Sequence, residues 1–350
     1  MRVLRTVALA GAAASAIALI ATGSAIADPP AGTVPATSDI VATGSNTIQS
    51  LFNTWSTDYN ATSPANKLYS FDATGSATIE SKNDAACNIT RPNGSGAGIS
   101  ALNTGTKAAD GNYCVDIARS SRPITAADGA VTSVALALDA ITVSANSTSN
   151  APATFTPAQL KAIFSCTSTT WNQVGGTSTA TIVPVLPQSS SGTRSTFLQQ
   201  IGVTTPGACV TNADGSQAIE ENEGTNAVFT GANAANVLEP FSIGSYISQK
   251  FKATSPNLTN NMVLKQINAV NPTTGTGTST AINTAFPSAF FRTLFAVVRG
   301  TSVPTTPVNL TPLLGTGKGT GWACTNTTAK ADVVSQGFLT TANCGTQLHF

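Results

Sequence analysis

Apolar positions along the chain recur at two spacings that alternate with one another. Asp39 to Thr43 reads as a short strand, Gly44 to Asn46 as a polar turn, and Ile48, Leu51, Phe52 and Trp55 then fall on one face at helical spacing. Tyr69 to Phe71 and Thr78 to Ile79 read as extended segments. A glycine-rich stretch from Gly94 to Gly98 leads into Ile99 and Leu102, again at helical spacing. Val115 to Ala118 is a strand that runs out in Arg119, Ser120, Ser121, Arg122 and Pro123, where the proline blocks smooth continuation. Thr156 followed by Pro157 reads as a cap with proline at the first helical position, opening a helix through Ile163 and Phe164. The apolar run Ile182 to Leu186 precedes Ser191, Gly192, Thr193 and Arg194, after which Phe197, Leu198 and Ile201 resume helical spacing.

Strands alternating with helices predict α/β layers. Val134 to Val143 and Phe290 to Arg299 are strongly apolar stretches, the first long enough to cross between two lobes and the second placed to return the chain. Ala218 to Phe229 reads as helical, with Glu220, Glu221 and Glu223 on its solvated face, and Phe241 to Tyr246 reads as a strand or strand edge. Residues 271–280 form a Thr/Gly-rich loop, and no repeat recurs at a solenoid period. After a leader is removed, roughly 320 residues exceed what one core usually holds, so two lobes are expected. The resulting division is 1–27 signal peptide, 28–38 linker, 39–139 lobe I, 140–290 lobe II, and 291–350 return to lobe I with the C-terminal segment.

The leader reading rests on Arg2 and Arg5, the apolar stretch from Val7 to Ile20, and Ala25, Ile26, Ala27 as a small-x-small cleavage site. Asp28 becomes the expected mature N-terminus, followed by a Pro/Ala/Thr linker expected to be mobile. No cysteine lies near the cleavage site, so lipid attachment there is not expected, and the product is read as secreted, extracellular or retained in the cell envelope. Removing the leader takes two arginines from 17 basic residues, leaving 15 against 16 acidic ones, a balance that steers neither nucleic acid nor anionic membrane.

Cys87, Cys114, Cys166, Cys209, Cys324 and Cys344 form an even set in an exported chain, where disulfides are the default. They fall as three local couples, read as 87 with 114, 166 with 209 and 324 with 344. No CxxC is present and the single histidine, His349, is C-terminal, so neither zinc nor any other cofactor is expected.

The chemistry concentrates in hydroxyl-rich turns at predicted helix starts. The first N–H groups of a helix lack intrahelical partners and carry the positive end of its dipole, so an oxyanion can accept several hydrogen bonds there. Ser191, Gly192 and Thr193 make one such turn, and Arg194 adds a fork of donors matched to two oxygens of phosphate, sulfate or carboxylate. Asn46 with Thr47, and Ser95, make two more, although capping alone explains these residue types as well. Ser121 and Arg122 sit at a strand's carboxyl end, with Asp116 or Asp128 as competing partners for the arginine. Arg292 and Arg299 flank an apolar strand and read as hinge or surface charges. Gly315 to Gly321 lacks the spacing of a phosphate loop and reads as surface, and Trp55, Trp171 and Trp322 read as core or interface aromatics.

Five stretches, in order, carry a family resemblance: ATGSNTIQSLFNTW from Ala42, GSGAGISAL from Gly94, VDIARSSRP from Val115, TPAQLKAIFSCTSTTWNQVGG from Thr156 and SGTRSTF from Ser191. A later SIGSY from Ser242 echoes the same pattern. From about Asp39 to Arg299 the chain resembles the phosphate-binding proteins of bacterial phosphate-specific ABC transporters, in the type II periplasmic binding protein class. The resemblance implies two α/β lobes joined by two crossings, with a dehydrated oxyanion in the cleft between them and a permease that receives the closed form. By position it assigns ligand contact to Asn46, Thr47, Ser95, Ser191, Gly192, Thr193 and Arg194. Ser121 stands where the phosphate binders carry an aspartate, and Pro187 where many carry an arginine, which leaves Arg194, Arg122 or Arg119 to supply positive charge. A serine donates as well as accepts, so the barrier to sulfate is absent.

The function expected is therefore capture of inorganic phosphate or a similar tetrahedral oxyanion by a monomeric binding protein. The alternatives are a secreted phosphatase or other hydrolase on the same scaffold, or a non-transport extracellular or cell-wall protein. No GxSxG elbow, internal histidine or metal-ligand cluster supports an enzyme.

Overall fold

The computed structural model describes residues 28–30 and 32–350, and the signal peptide expected over 1–27 lies outside them. Its organising element is the strand Val131–Asn146, buried along its whole length except at half-buried Leu138. Phe291–Arg299 runs antiparallel beside it from Val131 to Ala140. These are the two long apolar stretches of the sequence, and both lie at the centre of one sheet. In order across that sheet stand Leu68–Ser70, Ile40–Gly44, Ile117–Ser120, Phe291–Arg299, Val131–Asn146, Val237–Ser242 and Val183–Pro184.

The first three strands are parallel, and Ile40–Gly44 and Ile117–Ser120 are buried at every position, as expected where helices cover both faces of a sheet. Helix Gln49–Asn60 buries Leu51, Phe52, Trp55 and Tyr59, which join Ile40, Leu68, Leu136, Leu294 and Val333 in one core. Helix Pro157–Phe164, with its Thr156 and Gln159 capping box, and helix Gly192–Gln200 contribute Leu160, Phe164 and Phe197 to a second core with Ile141, Val143, Trp171 and Phe290. Along Val131–Asn146 the first core ends at Ala137 and the second begins at Ala140. The fold is thus a two-lobed α/β arrangement, as expected, with one strand serving both lobes.

Between the two cores lies a buried charge pair. Arg292 and Asp139 are cross-strand partners, and Arg292 Nε and Nη2 both donate to Asp139 Oδ2, at 2.9 and 2.8 Å. Ser242 Oγ also donates to Oδ2 and Gly244 N to Oδ1, so the carboxylate is fully satisfied. Arg292 Nη1 reaches Ser121 O and Thr193 Oγ1, both at 3.1 Å. Of the two readings of Arg292, a surface charge is corrected: the side chain is buried where the central strands pass from one core to the other. Arg299 is half-buried and stacks over the Tyr113 ring at 3.8 Å.

The disulfides are Cys87–Cys114, Cys166–Cys209 and Cys324–Cys344, the three local couples. Three other readings need correction. Residues 28–38 are tied down: Asp28 pairs with Arg91 at 2.7 Å, Lys82 Nζ donates to Thr37 O, and Asn83 N donates to Pro35 O. Val237–Ser242 is the strand, and Ile243–Ile247 turns into a short helix capped by Ser242 Oγ. Within 218–229 helix is confined to Ala227–Thr230, because Asn222 adopts a left-handed conformation with φ 64° and breaks the turn.

Removing one partner of a buried ion pair strands the other, at a cost of about 3–5 kcal/mol. D139A is therefore expected to lower the unfolding free energy by about that amount in urea titration. A loss below about 1 kcal/mol, the scale of an exposed pair, would show that the hinge does not rely on it.

Candidate functional site

Lobe I brings three turns to one edge. Ser45, Asn46 and Thr47 follow the strand Ile40–Gly44, Ser95 opens the helix Ser95–Thr104, and Ser121 follows Ile117–Ser120. Gly44 and Gly94 have φ of 112° and 94°, and a Cβ at either would strike backbone, of Arg119 and Ser190 respectively. Arg119 lies fully buried beneath these turns and donates to Ser70 Oγ at 2.6 Å, Phe71 O at 2.7 Å and Ser45 O at 3.2 Å. Its guanidinium fixes the loop carbonyls.

Lobe II supplies the N-terminus of helix Gly192–Gln200. Ser191 Oγ caps it by accepting from Arg194 N at 3.0 Å. The two sides meet directly. Thr47 Oγ1 lies 3.3 Å from Thr193 Oγ1 and Gly96 N donates to Ser190 O at 2.9 Å, while within lobe I Ser121 Oγ lies 3.1 Å from Ser45 Oγ and 3.3 Å from Ser95 Oγ. Gly192 is packed so closely that a Cβ there would collide with the hydroxyls of both Ser95 and Ser121. Asn46, Thr47, Ser95, Ser121, Ser191, Gly192 and Thr193 are thus gathered at one interlobe junction.

At its centre is a carboxylate. Glu221 is almost completely buried. Its Oε2 accepts from Ser191 Oγ, and from Thr193 N at 3.0 Å. Its Oε1 accepts from Thr47 Oγ1 at 3.1 Å, and lies 3.3 Å from Ser45 Oγ, whose single proton is shared between Glu221 and Ser121. Asn222 completes the arrangement: its Nδ2 donates to Thr47 Oγ1 at 3.0 Å, and its Oδ1 accepts from Ser242 N at 2.8 Å. Asn46 Nδ2 donates to Glu221 O at 3.0 Å.

The reading of Glu220, Glu221 and Glu223 as a solvated helix face is therefore corrected. Glu220 accepts from Asn93 Nδ2 at 2.8 Å and Gln188 Nε2 at 3.1 Å, and Glu223 is half-buried. Sequence reasoning missed Glu221, Asn222 and Ser45. The signal for the first two was the composition around them, since Gly215, Asn222, Gly224 and Asn226 crowd a stretch too rich in turn residues for a helix.

The arginines are placed differently from expectation. Arg194 turns away from the junction and donates to the carbonyls of Pro187, Asn212 and Ala213, clamping a lobe II loop. Arg122 pairs bidentately with Asp128, at 2.8 and 2.6 Å, and donates to Pro123 O. Each guanidinium is directed by the carbonyls or carboxylate nearest its own loop. Two other guanidinium groups reach the junction, Arg119 from beneath through Ser45 O and Arg292 through Thr193 Oγ1, the latter with its charge matched by Asp139.

A groove of about 710 Å³ opens from this junction, lined in part by Asn46, Thr47, Glu221, Asn222 and Gln249. Its lining includes the carboxyl groups of Asp58, Asp72, Glu221 and Glu223 and no lysine or arginine. Burial pushes the Glu223 carboxyl up to about 7, reinforced by Glu220, and burial pushes Asp72 up to about 6 against the bond from Asn53. Among the described residues, no group of three or more His, Cys, Asp or Glu side chains is placed to hold a metal ion.

Two α/β lobes that share a long strand, with helix N-termini and hydroxyl turns meeting between them, are the architecture of the PBP superfamily. The chain belongs to this family: a family model described as a PBP superfamily domain matches residues 29–276. Among solved structures, it is similar to an ABC-type phosphate transport receptor from Vibrio cholerae, at 19% identity and a TM-score of 0.55, over 87% of this chain and 100% of that one. It is likewise similar to a putative phosphate ABC transporter substrate-binding protein with bound phosphate from Clostridium perfringens, at 15% identity and a TM-score of 0.54, over 87% and 99%. At these identities the likeness is one of fold. No curated protein matches the chain by sequence.

Glu223 carries a pH signature. Its folded-state pKa of about 7 stands above the ordinary 4.5, so the folded state holds the proton more tightly. The stability this provides is fully present below pH 4.5 and is lost as pH rises through about 7. Thermal melting is expected to show a midpoint that falls by a few degrees across this window, and E223Q to flatten the fall. An unchanged profile in E223Q would assign the pH dependence to other groups.

Proposed function

We propose that this is a secreted solute-binding protein that captures inorganic phosphate or a similar tetrahedral oxyanion between its lobes, for delivery to an ABC permease. The observation that carries the reading is the junction itself, where donors from both lobes converge on two carboxylate oxygens. A site that satisfies a carboxylate with an amide N–H and hydroxyls has the chemistry to hold another oxyanion. The two structural neighbours, a phosphate transport receptor and a putative phosphate ABC transporter substrate-binding protein with bound phosphate, support the same ligand class. Asp39 onward would act after export, with the leader over 1–27 removed. No helix among the described residues is long and apolar enough to cross a membrane.

In this reading Thr47, Ser191 and Thr193 contact the ligand, Ser45, Ser95 and Ser121 complete the ring of hydroxyls, and Gly192 allows the lobes to approach. Arg194 and Arg122 position their own loops, and Arg292 polarises Thr193. Hydroxyls and amides replace the ion's hydration shell, and burial makes each contact stronger than in water. Ser121 can donate to a fully deprotonated oxygen where an aspartate would repel it, so sulfate competes with phosphate.

Isothermal titration with phosphate, sulfate and arsenate tests the proposal. Saturable binding of at least one is expected, and S191A is expected to weaken it by about 1–3 kcal/mol, the scale of one lost donor. No binding of any of the three, in either the wild-type protein or an E221Q variant, would overturn it. Turnover of a chromogenic phosphate ester that S191A abolishes would replace binding with hydrolysis.

A further inference from the structure

We infer that Glu221 is a tethered competitor for the ligand site: its carboxylate occupies the oxyanion position, and a free oxyanion enters only in exchange for it. The inference rests on the oxyanion reading above and adds to it a residue that sets affinity and specificity.

Three observations carry it. First, Glu221 takes the donors that an oxyanion would need. The Thr193 amide and the hydroxyls of Ser191 and Thr47 are all directed to its two oxygens, with Ser45 beside them. These donors come from both lobes, so the carboxylate bridges the cleft as a ligand would. Second, no guanidinium or ammonium group donates into the cradle to hold a second anion there. Arg292 is matched by Asp139, Arg194 and Arg122 face other partners, Arg119 lies beneath the turns with its donors on Ser45 O, Ser70 Oγ and Phe71 O, and the adjoining groove is lined by further carboxyl groups. A phosphate brought within hydrogen-bond distance of the same donors would meet Glu221 at close range in a buried setting, where like charges repel strongly. Third, the segment is built to present this side chain. Asn222, at φ 64°, reverses the chain directly after Glu221, and is pinned by Ser242 N, Thr47 Oγ1 and Gln249 Nε2. The groove beside it gives the side chain a solvated space to enter when it leaves the cradle.

An internal competitor reduces the apparent affinity by the fraction of molecules in which the cradle is free. It also selects against weak anions, because a ligand must offer more to the cradle than a carboxylate does. Inorganic phosphate, with more oxygens and more charge, meets that condition better than acetate or chloride.

The test compares wild-type protein with E221Q and E221A in isothermal titrations with inorganic phosphate and with acetate. Both variants are expected to bind phosphate about 10- to 100-fold more tightly than the wild type, the gain from a cradle that is otherwise free in about a tenth to a hundredth of molecules. E221A is also expected to bind acetate, which restores the missing carboxylate, whereas the wild type does not. Small-angle scattering supplies a second measurement: ligand-free wild type is expected to be closed, and ligand-free E221Q to be more extended until phosphate is added.

Equal phosphate affinity in wild type and both variants would overturn the competitor role and leave the oxyanion reading standing. Weaker binding in the variants would overturn it too, assigning Glu221 to direct contact with the ligand. Acetate binding to E221A with no phosphate binding in any form would overturn the oxyanion reading itself. If E221A does not fold, the near-isosteric E221Q still decides the comparison.

Discussion

A guanidinium and a carboxylate, both removed from water, hold the two lobes in register. Arg292 and Asp139 sit opposite each other on the two central strands, at the point where one apolar core gives way to the other. Desolvating such a pair is expensive, and it persists only when every remaining donor and acceptor is satisfied. Here Ser242 and Gly244 complete the carboxylate, while the guanidinium's third nitrogen reaches Ser121 O from one side and Thr193 Oγ1 from the other. The ion pair thus ties the hinge to both walls of the cleft.

Sequence periodicity reveals the elements that build those walls, because their burial is regular. Ile48, Leu51, Phe52 and Trp55 face a core as their spacing predicts, and Thr156 with Pro157 opens a helix where its capping chemistry predicts. The hydroxyl turns at Thr47, Ser95 and Ser191 are legible for the same reason, since each follows a recognisable strand or precedes a recognisable helix. The fate of long polar side chains is not. Arg194 and Arg122 each have several torsions and several acceptors within reach, and which one wins depends on carbonyls contributed by residues such as Asn212 and Ala213, far along the chain.

Glu221 was illegible for a different reason. Three glutamates in a short window match a solvated helix, and although the turn residues around them argue against helix, only the left-handed turn at Asn222 shows where the backbone reverses and which of them is carried inward. Buried, that carboxylate finds around it the hydroxyls and amide that the turns expose, and each satisfies the other. Polar groups that would otherwise be stranded between the lobes are paired by this carboxylate.

On the proposed function, the acidic groove adjoining the cleft bears on how an anion arrives. Above pH 7, where Asp72 and Glu223 are ionised, its carboxyl groups set a repulsive potential beside the cleft, with no lysine or arginine in the lining to offset it. Dissolved salt shortens the reach of that field. Diffusional encounter with an anion should accordingly quicken as ionic strength rises, opposite to the behaviour of a receptor whose mouth is ringed with cations.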